Sequence, residues 1–259
     1  MPGIVVDAPR AGVLRIAIDR PRQANALDDN AVEAIHNVLS AADDDPECRV
    51  IVLYSANAYF CSGFDMTGYD GDPESRGGAA SVVTQMDRLA DLPLRMRTAR
   101  QVVIAAVRGP AIGGGFALAL GADVVIAGTS ATFTLPQTHI GVLAAEMGIS
   151  YLLPRIVGLN RAAQMMLFGT RLNAQGAVAA GLVCKVRPDD EVDEAALEMA
   201  TELANRSAKA LAGTKRMLLA GIQSGHFEQT IRAETQSQVL SNYWPEPRAA
   251  IASFRARGD

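Results

Sequence analysis

Arg108-Gly-Pro-Ala-Ile-Gly-Gly-Gly-Phe-Ala-Leu-Ala-Leu120 follows directly on an apolar strand, Val102 to Val107. Three consecutive glycines, Gly113, Gly114 and Gly115, separate that strand from an alanine- and leucine-rich helix. Glycine at such a turn lets backbone approach a ligand closely. The first N–H groups of the helix have no partner within it, and the helix dipole adds positive character there. The turn therefore suits an anion, or an oxygen that becomes anionic during a reaction. Tight helix packing is the other use of such glycines. The spacing argues against a dinucleotide fingerprint, because Leu118 stands where a third glycine is required. A phosphate loop is excluded as well, since no Gly-Lys-Ser/Thr follows.

Around this turn the chain alternates strands and helices. Ile4–Val6 and Val13–Asp19 read as a hairpin about Pro9-Arg-Ala-Gly12. Asp28 or Asp29 caps a helix from Asn30 to Ala42, with Ala31, Val32, Ile35, Val38 and Leu39 at helical spacing. Val50–Ser55 and Val124–Ala127 read as further strands. The pattern favours an α/β fold. Gly68 to Ser81, rich in Gly, Asp, Ser and Pro, reads as a surface loop, followed by a helix over Val82 to Leu92. After Glu191 the chain reads as helices only: Glu194–Arg206, Ala208–Gln223, Phe227–Ser241 and Pro247–Arg257. A division into residues 1–195 and a helical region 196–259 follows.

The bulk properties bound the function. The 259 residues are 49% hydrophobic and 20% charged, which predicts an ordinary globular core. A net charge of −4 argues against a general nucleic-acid binder. Three separated cysteines, Cys48, Cys61 and Cys184, read as reduced thiols of a cytoplasmic protein. No secretory signal or membrane-spanning stretch is visible, and no His/Cys/Asp cluster has metal-ligand spacing.

A second turn, Phe60-Cys-Ser-Gly-Phe-Asp-Met66, follows the strand Val50–Ser55. Two such turns can each supply one N–H to the same oxygen. Together with Asp19-Arg-Pro-Arg-Gln-Ala-Asn-Ala-Leu27, Gly109–Leu118, Leu152-Leu-Pro-Arg-Ile-Val-Gly158 and Leu167–Val183, these motifs resemble the enoyl-CoA hydratase/isomerase, or crotonase, superfamily over residues 4 to 257. The resemblance implies an α/β spiral of ββα units followed by a helical trimerisation region. It implies an acyl-CoA thioester as substrate, with no cofactor beyond the coenzyme A that the substrate carries. The partner it implies is a second copy of the chain, in a homotrimer or a hexamer of two trimers.

Mapped by motif, the resemblance makes Ser62 and Gly114 the N–H donors to the thioester oxygen. Backbone around Arg22, Ala24, Ser62, Phe64 and Asp65 would line the pantetheine and adenine. The family's hydratases use two glutamates; here those positions, which would line the substrate, are Ala117 and Gln137. Neither is a carboxylate, so proton transfer between carbons is favoured over water addition. Glu146, in the apolar run Gly141–Gly148, resembles an acid carried by several isomerases. Partial burial would suit it to proton transfer, and a capping role is the alternative. His139 reads as a packed residue or a proton carrier, and Cys61 as a small buried hydrophobe. Arg95, Arg97 and Arg100, or Arg255 and Arg257, are candidates for the phosphates of coenzyme A. The competing reading is a non-catalytic acyl-CoA-binding protein.

Overall fold

The computed structural model describes residues 3–67 and 72–244. The expected helix Pro247–Arg257, with Arg255 and Arg257, lies outside them, as does the start of the expected loop at Gly68.

An antiparallel hairpin, β1 (Ile4–Arg10) and β2 (Val13–Ile18), opens the fold. Helix α1 (Asp29–Asp44) follows, and Asp28 caps it by accepting the Ala31 N–H at 2.8 Å. Strand β3 (Val50–Ser55) leads to α2 (Ala79–Thr98). Strands β4 (Val102–Val107) and β5 (Pro110–Ile112) lead to α3 (Gly114–Gly121). Strands β6 (Val124–Gly128) and β7 (Thr132–Thr134) lead to α4 (Ile149–Val157) and α5 (Leu159–Phe168). The rest comprises β8 (Leu172–Asn173), α6 (Ala174–Ala179), β9 (Lys185–Arg187), α7 (Val192–Ala204), α8 (Ala208–Gln223) and α9 (Phe227–Ser241).

The main sheet has the order β1-β2-β3-β4-β6-β9, and every pair after the hairpin is parallel. A second, smaller sheet is β5-β7-β8. Isolated parallel bridges, Leu27 with Phe64 and Cys61 with Ala111, extend that layer back to the earlier units. Successive units thus give one strand to the main sheet, one short segment to the second layer, and then a helix. This is the ββα spiral that the motifs implied.

Strand periodicity explains the two cores. On β3 and β4, Ile51, Leu53, Val103, Ala105 and Val107 face the core shared with the second layer. Val50, Val52, Ile104 and Ala106 face the opposite side, where Val192, Ala196, Leu197, Ala200 and Ala204 of α7 cover them. The expected division after residue 195 therefore falls inside a helix packed on the sheet. Beyond α7 the packing thins: α8 buries only Lys215, and α9 buries none of its residues.

Helix α2 is longer than the 82–92 expected and runs through Pro93. Leu89, Leu92, Pro93 and Met96 form its buried face, and Pro93 packs so closely on Gly121 of α3 that an added Cβ there would stand 2.8 Å from Pro93 Cα. Tertiary packing outweighs the backbone hydrogen bond that proline removes.

Of the arginines expected to meet phosphate, Arg95, Arg97 and Arg100 serve the fold instead. Arg100 donates to the Ala42 and Asp43 carbonyls at 3.1 and 3.2 Å and to Asp45, at the end of α1. Arg97 donates to Leu120 O at 2.6 Å, at the end of α3. Arg95 reaches Ser40 Oγ and the His36 carbonyl on α1. Cations at helix C-termini satisfy orphan carbonyls and oppose the dipole. All three sit where the parallel strands begin, at the opposite end from the glycine turns.

Candidate functional site

The site forms where β3 and β4 end. Their following turns, residues 61–64 and 109–114, run side by side, joined by the Cys61–Ala111 bridge and by Ile112 N–H donating to Cys61 O at 2.9 Å. Glycine is needed where the two turns touch. Gly115 packs on the Cys61 carbonyl, which an added Cβ would approach to 2.1 Å. Gly63 has φ +90°, and its Cβ would stand 2.9 Å from Ile112 O and 3.0 Å from Gly114 N. A side chain at either position would push the two turns apart.

That φ at Gly63 also corrects the expected role of Ser62. The Ser62 N–H donates to Ala24 O at 3.1 Å and so points away from Gly114. Leu27 N–H donates to Gly63 O, and Asp65 N–H donates to Leu27 O. In a parallel ladder this turns the N–H of the intervening residue, Phe64, to the other edge. Phe64 N lies 3.7 Å from where a Cβ of Gly114 would be. The N–H beside Gly114 is therefore that of Phe64. The motif alone does not reveal the reversal at Gly63, so counting along it pointed to Ser62, whose N–H is given to Ala24.

Glu146 and Gln137, nine residues apart, meet over the same turn. Gln137 Nε2 donates to Glu146 Oε1 at 2.7 Å. Both lie against Gly113: a Cβ there would stand 2.9 Å from Gln137 Nε2 and 3.4 Å from Glu146 Oε1. Burial raises the Glu146 carboxyl above its ordinary range, and the hydrogen bond from Gln137 only partly opposes this. Met147, the next residue, takes a left-handed φ of +49° and places its sulfur 3.1 Å from the Cβ position of Gly114. A non-glycine residue in that region is a strained one that its surroundings hold in place. Ala117 is fully buried one helical turn beyond Gly113.

The other candidates separate into supports and bystanders. Ala24 has φ +50° and gives its carbonyl to Ser62. Arg22 is exposed on the turn Pro21–Gln23. Burial works to raise the Asp65 carboxyl, but hydrogen bonds from Thr67 and then Arg20 prevail and hold it below the ordinary range. Its side chain is thus engaged in the framework, with Arg20 at 3.2 Å. His139 turns its Nε2 to the Phe168 carbonyl at 3.1 Å, away from Glu146. Cys61 is fully buried, and that burial pushes its thiol up to about 12, the behaviour of a packing residue. All three cysteines are free.

Asn25 and Arg20 were not singled out by sequence reasoning. Asn25 is fully buried at φ +57°. Its Oδ1 accepts from Arg20 N–H at 2.8 Å and from Asn57 Nδ2 at 2.9 Å, while its Nδ2 donates to Ser55 Oγ and Tyr59 O. Arg20 joins Asp28 at 2.7 Å, Asp65 and the Ala26 carbonyl. Together they lock the first segment onto the turn at 61–64. The available signal was the Asn itself, which tolerates the left-handed region better than other non-glycine residues. Asn25→Ala strands several buried polar groups and should lower stability by about 2 kcal/mol. Urea unfolding measures this, and an unchanged midpoint would refute it.

Among the described residues, no helix is long and apolar enough to cross a membrane. The sequence profile of the enoyl-CoA hydratase/isomerase family matches residues 9–246. The chain is 35% identical to the probable enoyl-CoA hydratase echA12 of Mycobacterium bovis, over 98% of this chain and 91% of the relative. It is 29% identical to the 1,2-epoxyphenylacetyl-CoA isomerase of Escherichia coli, over 95% and 93%. The crystal structure of an enoyl-CoA hydratase from Bacillus anthracis superposes with a TM-score of 0.92 at 28% identity, covering 98% of this chain and 96% of that one.

Proposed function

The chain belongs to the enoyl-CoA hydratase/isomerase family, and from that premise we propose that it moves a proton between carbons of an acyl-CoA thioester. The observation that carries this is Glu146, partly buried beside the glycine turn and held there by Gln137. The two hydratase positions, Ala117 and Gln137, hold no carboxylate. One mobile carboxylate is enough to shift a double bond, whereas holding and activating water uses a pair.

In this reading the thioester oxygen accepts hydrogen bonds from the N–H groups of Phe64 and Gly114. Glu146, as carboxylate, takes a proton from the carbon next to the thioester carbonyl. The electron pair of that C–H bond moves onto the oxygen as an enolate. Fixed N–H donors stabilise such an oxyanion by roughly 3 kcal/mol each. Glu146 then returns the proton to the far carbon of the conjugated system, and the double bond has moved with no change in composition. A raised carboxyl pKa favours this exchange, because donor and acceptor are closer in basicity. The backbone near Arg22, Ala24, Phe64 and Asp65 would follow the coenzyme A arm.

We further propose a homotrimer or a hexamer of two trimers. Exposed apolar side chains on α5, α8 and α9 support it, among them Leu167, Phe168, Leu218, Phe227 and Leu240. So does the groove of about 1330 Å³ that lies along α8 and α9.

The test is turnover in heavy water, read by mass spectrometry, on 2-enoyl, 3-enoyl and saturated acyl-CoA thioesters. Deuterium gained without the mass of water supports proton transfer. Added water would show a hydratase working without the paired glutamates. Binding without any change in mass would make the chain an acyl-CoA-binding protein.

A further inference from the structure

We propose that Gln137 is a positioning residue that pairs with Glu146 in both of its protonation states, its amide turning over when the proton arrives. The catalytic consequence rests on the proton-transfer reading above; the pairing itself does not. Three observations support it. The Gln137 amide donates to the Glu146 carboxylate through Nε2 at 2.7 Å. The other end of that amide, Oε1, is buried and has no partner among the described residues. The Nε2 bond to Glu146 is thus the hydrogen bond that sets the orientation of the amide, and a terminal amide torsion is broad and roughly two-fold. Gly113 supplies the clearance, because a Cβ there would press on Nε2 at 2.9 Å.

The chemistry of an amide fits this use. Nε2 can only donate, so it suits the carboxylate; Oε1 can only accept, so it suits the carboxylic acid. A half-turn about Cγ–Cδ exchanges the two without moving Glu146. The acid made by accepting a proton from substrate then keeps a hydrogen-bond partner, as the carboxylate that accepted it did. A lysine would favour only the carboxylate, and an apolar residue would hold neither state.

Among the described residues, no other titratable group competes for the role. On the preceding turn His139 is bonded to the Phe168 carbonyl. On α4 the Tyr151 hydroxyl is bonded to the Ile222 carbonyl, and Arg155 lies over the Tyr151 ring. The start of α3 carries no ionisable side chain. Burial and the Gln137 bond act on the Glu146 carboxyl in opposite directions.

The test is a pH titration of the whole protein, labelled with 13C and 15N in its glutamate and glutamine side chains. The Gln137 amide signals should titrate with the same midpoint as the Glu146 carboxyl, moving away from hydrogen-bonded N–H shifts on acidification. They should stay flat in Glu146→Gln. In Gln137→Leu both states lose a bond, so the midpoint should move by less than about half a unit, while exchange into the acyl-CoA falls about tenfold or more with affinity kept. Amide signals that hold their position through the carboxyl titration would overturn the proposal. So would a midpoint raised by about a unit or more in Gln137→Leu, since Gln137 would then serve the carboxylate alone. If the amide turns over while no thioester exchanges, the pairing is supported and it is the proton-transfer reading that fails.

Discussion

Glu146→Gln should cut deuterium incorporation into a 3-enoyl-CoA by about 10²- to 10⁴-fold, the range for losing a positioned acid/base, while acyl-CoA affinity changes little. Glutamine keeps the size of glutamate and can still meet Gln137, so the loss would report the missing proton acceptor and not a collapsed site. The same variant should be more stable than the wild type near neutral pH. Burial makes ionising Glu146 costlier in the folded chain than in the unfolded one. Between the ordinary carboxyl pKa and the raised one the folded state binds more protons, so wild-type stability falls as pH rises through that window. Above the window the full cost is present, and glutamine escapes it. Below the ordinary carboxyl pKa both states are protonated and this advantage is absent. Thermal unfolding of both proteins from acid to neutral pH, beside the exchange assay, gives both readouts. An unchanged exchange rate would remove Glu146 from the mechanism, and a gap in stability that does not widen with pH would refute the burial cost.

The second large effect lies far from the site. Lys215→Ala should destabilise the protein by about 3–5 kcal/mol, the cost of leaving a buried charge without its partner. Lys215 is the one buried residue of α8. Its Nζ lies 2.7 Å from Asp123 Oδ2 and donates to the Met96 and Gln101 carbonyls at 2.6 and 2.7 Å. Asp123 in turn accepts the Val103 N–H at 2.8 Å. One ammonium thus ties α8 to the end of α2 and to the start of β4. Burial lowers the Lys215 ammonium and raises the Asp123 carboxyl, each pushed toward its neutral form and each opposed by the other. Removing the lysine leaves Asp123 with burial unopposed by its main cation and two carbonyls short of a donor. The double variant Lys215→Met with Asp123→Asn should recover much of the loss, because it removes both charges together. Denaturant unfolding of the single and double variants decides this, and a single variant within about 1 kcal/mol of wild type would show that α8 docks by other contacts.

Much of the fold was legible because it rests on local rules. Short apolar runs rich in β-branched residues gave Val50–Ser55 and Val102–Val107, and Asp28 was among the residues named as the cap of α1. Short strands such as Thr132–Thr134 and Leu172–Asn173 were missed, since two or three residues carry no readable period. The basic run was misread because a sequence shows charge and not the carbonyls it will meet. Arg97 and Arg100 belong to the ends of α3 and α1, 23 and 58 residues away at their bonds to Leu120 and Ala42.

The sequence by itself determined the strand-and-helix alternation, the two glycine turns, and the absence of carboxylates at Ala117 and Gln137. Those are properties of residue type and spacing. Only the tertiary structure decided which N–H accompanies Gly114, because one positive φ at Gly63 turns Ser62 toward Ala24 and Phe64 the other way. Only the tertiary structure brought Gln137 to Glu146, across a turn whose path is set by packing on Gly113. The physical reason is the same in both cases. Residue type limits what a group can donate, accept or ionise, while backbone direction and burial decide which group it meets and in which charge state.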